Sequence, residues 1–266
     1  MPKMKNKQGS YQLIRKILLL VFMAALAAVE MIYRNIDASS NVAEYIYLAA
    51  TRVIGGAVCI IFILEFSFSK ILDPLGNRSA MSLLTVLPAF AVAINNFPFV
   101  SFFAGECGLD APIADVAVYG LFCLAVGFFE EMAFRGCVLM YLLKKRVNTR
   151  LGIFMAILWS SVAFGAVHLI NLFTSSPGAV LLQLGYSALI GALCSVVLLE
   201  TGNIWLCVIL HAVYNFVGNV IADLGTGIMW TVPQMIFTAV IAVIVTGYTV
   251  WRFFKIPLDK AKELFI

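Results

Sequence analysis

Apolar residues run along this chain in blocks of twenty or more, with polar residues gathered between the blocks. A bilayer-crossing helix needs ~20 apolar residues. By that measure the pattern predicts eight spans, at about 12–33, 44–68, 79–100, 112–143, 151–172, 179–199, 203–222 and 232–254. The second and fourth exceed what a perpendicular helix requires, which predicts tilt or extension beyond the bilayer. Pro88, Pro98 and the Asn95–Asn96 pair predict that the third span is kinked or broken, where neighbouring helices or water must satisfy the freed backbone. From Ile256 to Ile266 apolar residues alternate with Asp259, Lys260, Lys262 and Glu263, the pattern of a short amphipathic helix on the membrane surface.

Composition agrees with the pattern. Hydrophobic residues make up 62% of the 266 and charged ones 12%, against a roughly half-apolar average for soluble domains. The expected fold is therefore all-α, a polytopic membrane bundle of about eight transmembrane helices. Residues 1–266 are expected to form a single integral membrane domain. The net charge of +4 is spread over loops rather than clustered on one face, so no nucleic-acid partner is expected. Lys and Arg accumulate at alternate connections: the N-terminal segment, Lys70 and Arg78, the run Lys144, Lys145, Arg146 and Arg150, and the tail from Arg252. The excess of positive charge on the cytoplasmic side then places both termini in the cytoplasm. The 200–202 turn is too short to inform. The basic N-terminus with Ala25-Leu26-Ala27 has the form of a signal peptide, but the many spans behind it predict an uncleaved first helix. The six cysteines show no CxxC and no zinc-like spacing, and are expected to be small core residues.

Charge inside the spans changes the picture further. A charged side chain near the bilayer centre costs at least ~2.5 kcal/mol, so such residues pair, line polar cavities or do chemistry. Glu30 and Arg34 can pair, while Glu44, Arg52 and Glu65 are expected to be structural, reaching or snorkelling toward the interface. The stretch Phe128-Phe129-Glu130-Glu131-Met132-Ala133-Phe134-Arg135-Gly136 carries three charges in six residues. Glu131 and Arg135 are four apart and predict an internal ion pair. Glu130 is rotated about 100° from Glu131 on a helix, so the two carboxylates should point differently, leaving Glu130 to face a cavity. The only two histidines, His168 and His211, both lie in apolar spans. Phe164 precedes His168 by one turn and Asn215 follows His211 by one turn, each sharing a face with its histidine. Alone, each piece also fits a helix-bracing role; together they are groups from three spans able to converge.

Glu130-Glu131-x-x-x-Arg135, Phe164-x-x-x-His168 and His211-x-x-x-Asn215 resemble, in this order, the EExxxR, FxxxH and HxxxN motifs of the CAAX protease and bacteriocin-processing (CPBP, or Abi) intramembrane endopeptidases. Gly202-Asn203-Ile204-Trp205 is similar to the family's entry to its third motif. The resemblance covers about 115–222, with the first three spans and the last as accessory helices. It implies peptide-bond hydrolysis at the membrane: Glu130 with His168 activating water, His211 and Asn215 stabilising the oxyanion, and Glu131 with Arg135 holding the first motif. The chemistry is sound in itself. Amide hydrolysis needs a base, and burial raises a carboxylate's pKa toward the working pH. It also needs donors aimed at the oxyanion, each worth ~10²–10³ in rate.

Zinc held by Glu130, His168 and His211, with a water in the fourth position, is the alternative; the expectation here is no cofactor. Counted from the basic 144–150 loop, His168 falls nearer the outer surface than His211, which tilt or an early end to the fifth span would reconcile. The expected partners are the bilayer and a membrane-embedded or lipidated peptide or protein substrate, in a bacterial plasma membrane. The competing readings are a non-catalytic scaffold or bacteriocin self-immunity protein, and a small transporter with a proton relay.

Overall fold

The computed structural model describes residues 41–74, 86–173 and 175–265, with scattered positions between 14 and 25. The backbone forms α1 (Asn41–Glu65), a 3₁₀ turn (Ser69–Leu72), α2 (Leu87–Ile94), α3 (Phe99–Phe103), β1 (Cys107–Leu109) and α4 (Ile113–Glu131). A wide π-helical segment (Met132–Leu139) carries α4 into α5 (Met140–Lys144). Then come α6 (Arg150–Val167), a 3₁₀ turn (His168–Phe173), α7 (Pro177–Thr201), α8 (Ile204–Leu224), β2 (Gly225–Gly227), α9 (Val232–Lys255) and α10 (Leu258–Glu263).

Among the described residues, six helical stretches are long and apolar enough to cross a membrane: Val42–Glu65, Ile113–Lys144, Arg150–Phe173, Pro177–Thr201, Ile204–Leu224 and Val232–Lys255. The chain is an integral, multi-pass, all-α membrane protein, and these six coincide with expected spans. The other two account for the difference from eight. The first span, with Glu30 and Arg34, lies largely outside the described residues. The described part of the third is not one crossing helix. α2 takes Pro88 in its first turn and ends at Ile94, and α3 begins only after Pro98. Proline lacks the N–H an interior helical turn needs, so the break falls where Pro98 and the two asparagines predict it.

The connections sort to two ends. At one end Trp205 Nε1 donates to the Leu72 carbonyl at 2.8 Å, and Lys144 Nζ lies 5.3 Å from the Phe68 ring centroid. Arg150 donates to the carbonyls of Phe253, Phe254 and Ile256, and Lys260 Nζ donates to the Glu200 carbonyl at 3.0 Å. These are the basic connections, and the 200–202 turn joins them. At the other end β1 and β2 pair antiparallel, Cys107 opposite Gly227 and Leu109 opposite Gly225. This small ribbon ties the 101–111 and 223–231 loops, a departure from pure helix that three-residue strands were too short to announce.

Two expectations are corrected here. The tail does not lie apart as an amphipathic surface helix: Ala261 is fully buried, Leu264 nearly so, and Phe265 packs edge-on against Phe68. Its apolar face is covered by protein instead of lipid. Glu200 is not a loop residue but is buried near the end of α7, ion-paired with Arg252 of α9. Gly202 follows with a positive φ of 63°, which glycine adopts without a Cβ penalty, and its N–H returns to the Leu198 carbonyl. Asn203 Oδ1 then accepts from Trp205 N at 2.8 Å and starts α8. The Gly-Asn-Ile-Trp stretch is thus a helix stop, a helix start and an anchor in four residues. All six cysteines are buried thiols, as expected of core residues.

Candidate active site

The first motif sits where α4 widens into the π segment. π turns replace i→i−4 bonding by i→i+5, recur at functional sites, and have no simple hydrophobic signature. The hydroxyl of Ser160 on α6 donates to the Phe134 carbonyl within it at 3.1 Å. Glu131 and Arg135 are 0% and 1% exposed, and Arg135 Nη1 meets Glu131 Oε1 at 3.0 Å, the pair their spacing predicts. The contact is electrostatic rather than an aligned hydrogen bond, since none of the three guanidinium nitrogens has an aligned acceptor. The guanidinium instead lies over the Phe164 ring, 4.6 Å from its centroid.

His211 on α8 joins the two glutamates. Its Nδ1 is 2.7 Å from Glu131 Oε1 and its Nε2 is 3.4 Å from Glu130 Oε2. The 100° rotation along α4 does not keep the carboxylates apart, because the imidazole lies between their two directions and offers a nitrogen to each. Glu130 keeps 15% of its side chain exposed and lines a cavity of about 740 Å³, as the rotation predicted. Glu131 has a second role besides pairing with Arg135: it orients His211.

Phe164 supplies the common face. Its ring is 1% exposed and stands edge-on to His168 and His211, at 5.4 and 5.6 Å between centroids. α6 ends at Val167, so His168 begins the tighter 3₁₀ turn. His168 Nδ1 lies 3.1 Å from the Phe164 carbonyl. A carbonyl only accepts, so Nδ1 is the donor in this contact. Glu130, His168, His211 and Asn215 all line the one cavity, whose volume lies within the usual range for ligand sites. The predicted residues of all three motifs are therefore brought together.

The zinc alternative needs three of these groups in one coordination sphere. Among the described residues no three His, Cys, Asp or Glu side chains are grouped to hold a metal ion.

Several cavity residues were not placed at the site by the sequence. Arg52 of α1 lines it and lies 5.1 Å over the Phe129 ring, so it is not a snorkelling residue outside the bundle. Asp223, expected in a loop, is on α8, lines the cavity and accepts from the Tyr119 hydroxyl. Asn171 Nδ2 donates to Gln183 Oε1 at 2.8 Å, and Asn96 Nδ2 to the Tyr214 carbonyl at 3.0 Å, both on the cavity wall. The available signal was a polar residue in an apolar span. Gly191 was missed for another reason: a Cβ there would stand 2.9 Å from Arg135 Nη2 and 3.2 Å from Phe164 Cδ1.

Residues 112–217 match the family model described as type II CAAX prenyl endopeptidase Rce1-like. That interval includes every residue of the three motifs. Neither the curated proteins nor the solved structures give a significant match. Residues 112–217 are thus an Rce1-like domain, of the CPBP (Abi) family of CAAX-type intramembrane proteases.

Proposed function

We propose that this protein is an intramembrane endopeptidase that hydrolyses peptide bonds of a membrane-associated or lipidated substrate. The observation that carries the reading is the convergence of Glu130, His168, His211 and Asn215 on one cavity within a bundle of apolar helices. Water held between Glu130 and His168 gives its proton to the Glu130 carboxylate. Its oxygen attacks the scissile carbonyl, and the tetrahedral oxyanion is met by the Asn215 carboxamide and the His211 ring. Collapse breaks the C–N bond, and the proton on Glu130 passes to the departing amine. Glu131 acts at one remove: its 2.7 Å contact with Nδ1 turns Nε2 of His211 toward the cavity. Such donors are useful when held before charge develops. Burial of Glu131, Arg135 and Phe164 holds them so.

The reaction is taken to need no metal, and no step is drawn through one. Exposed apolar residues on the rim, Phe173 at 85%, Trp230 at 50% and Tyr186 at 44%, suit entry of substrate from lipid. The basic end carries the 144–150 loop and the tail, and by its charge it faces the cytoplasm. The whole chain serves as one integral membrane unit, with α1, α2 and α9 completing the cavity wall.

The test is cleavage of a quenched peptide library by detergent-purified protein, beside Glu130→Gln, each with and without a strong chelator. Cleavage that requires Glu130 and survives the chelator is expected. Loss on chelation with recovery on zinc would overturn the metal-free mechanism. Cleavage equal in Glu130→Gln would overturn the role of Glu130. A Glu130→Gln protein that keeps its cellular phenotype would favour the scaffold or immunity reading.

A further inference from the structure

The chemistry proposed above uses two polar residues of α8, His211 and Asn215. The same helix continues the pattern: His211, Asn215, Asn219 and Asp223 recur at intervals of four, and all of them line the cavity. Asn219 and Asp223 lie beyond the 112–217 match. Steps of four residues turn the row by only about 40° each, so it keeps to one side of the helix, and from His211 to Asp223 it rises about 18 Å. Exposure increases along it: His211 is buried, Asn215 half-buried, and Asn219 and Asp223 are exposed. The row therefore runs from the closed inner end of the cavity to its mouth. Polar groups in a membrane span are expensive unless they border water or a polar partner. Asp223 exceeds what packing requires. It accepts from the Tyr119 hydroxyl, and Tyr119 is 2% exposed; an asparagine would accept that bond equally. The carboxylate adds a negative charge, and among the described residues no Lys, Arg or His pairs with it. The carbonyl of Leu224, the next residue, accepts from Asp110 N at 3.1 Å beside the ribbon, so Asp223 stands at the end of the bundle away from the basic loops.

Resting on the protease reading, we propose that this row of α8 is the track along which an extended substrate lies, and that Asp223 recognises a cationic group of that substrate about five residues from the scissile bond. A carboxamide offers both donor and acceptor, which suits the alternating N–H and C=O groups of an extended peptide. A carboxylate binds an ammonium or guanidinium through charge-assisted hydrogen bonds. The Tyr119 hydroxyl fixes the Asp223 carboxylate before the substrate arrives. Glu130, the other acidic group on the wall, is 15% exposed and belongs to the inner end. A cation entering by the mouth thus meets the exposed Asp223 first. Asp223 is a specificity residue in this scheme; it takes no part in bond breaking.

The cation is either the free N-terminus of the peptide or a basic side chain, and the test separates them. The full chain in phosphatidylcholine nanodiscs is equilibrated with dodecapeptide pools randomised over Ala, Val, Leu, Phe and Asn, all C-terminally amidated. One pool is N-acetylated, one has free N-termini, and a third is N-acetylated with a single Lys at random positions. Peptide bound above the level of empty nanodiscs is quantified by mass spectrometry for the wild type, Asp223→Asn, Asp223→Glu and Asp110→Asn. The wild type is expected to enrich a cationic pool over the neutral one by roughly tenfold, within the range of one charge-assisted contact. Asp223→Asn, which still accepts from Tyr119, should bring that ratio to about one, and Asp223→Glu should restore part of it. Asp110→Asn removes a like charge from the same end but outside the cavity, and should leave the ratio as it is. Which cationic pool is enriched identifies the source. Equal binding of all pools by the wild type, a ratio that survives Asp223→Asn, loss of neutral and cationic pools together in that variant, or an equal drop in Asp110→Asn overturns the proposal. Cleavage of the enriched pool is followed in parallel, and cuts should fall about five residues from the cation; cuts without a fixed spacing would overturn the track. A preference that depends on Asp223 with no cleavage by the wild type would sink the protease reading and leave Asp223 recognition standing, while Glu130-dependent cleavage without the preference would do the reverse.

Discussion

Arg135→Ala is the sharpest test of how the first motif is held. Arg135 is 1% exposed and is the only cation paired with Glu131, itself 0% exposed, among the described residues. Truncation leaves a buried carboxylate with only His211 beside it, and breaking one partner of a buried pair costs ~3–5 kcal/mol. The cation–π contact over Phe164, 4.6 Å away, is lost too; such contacts are worth ~1–2 kcal/mol when desolvated, and the two terms overlap rather than add. At ~2–4 °C per kcal/mol for a domain of this size class, the melting temperature should fall by roughly 10 °C. The assay is thermal unfolding in one detergent at one scan rate, because membrane-protein unfolding is commonly irreversible. The partner experiment is Glu131→Gln with Arg135→Met. Replacing both members of a buried pair by neutral groups is often near neutral, and Gln can still accept from His211. The double variant should therefore recover much of the loss. A melting point for Arg135→Ala within about 2 °C of wild type, or a double variant as unstable as the sum of the singles, would refute the bracing role.

Gly191→Ala places a methyl against Arg135 Nη2 and Phe164, and overpacking of this kind costs ~1–3 kcal/mol; activity should fall along with thermal stability, and a fully active variant would show that the contact can relax. Phe164→Leu removes the ring shared by His168, His211 and Arg135; the expected signature is a loss in kcat exceeding the loss in KM, checked by steady-state cleavage. Glu131→Gln keeps an acceptor for His211 Nδ1 but removes the charge beside Arg135, so it should retain more turnover than Glu131→Ala. Cys107 is buried on β1, and burial first, with Glu106 beside it, raises its thiol pKa; maleimide labelling at pH 8 should be slower than in the unfolded chain and should rise with pH, whereas equal rates would mean the ribbon is open.

Read alone, the sequence determines what depends on near neighbours. Hydrophobic block length sets six of the spans, because the bilayer imposes a minimum length on any helix that crosses it. The Glu131–Arg135 pair is equally local, since residues four apart on one helix face each other. Loop charges also anticipate which connections share an end. What the sequence leaves open is the rotation, tilt and ending of each helix, for these are settled by packing against partners distant in the chain. Helical period says that Glu130 and Glu131 diverge; only the placement of α8 puts His211 between them. It says that Phe164 and His168 share a face; only α6 ending at Val167 brings both histidines to one ring. Arg52 looks like any charge seeking the interface until α1 packs beside α4 and turns it toward the cavity. The tail looks like a surface helix until Phe68 and the end of α7 cover its apolar side. Apolar periodicity marks which face of a helix avoids water, but in a membrane lipid and protein cover that face equally well, so the choice between them belongs to the tertiary structure.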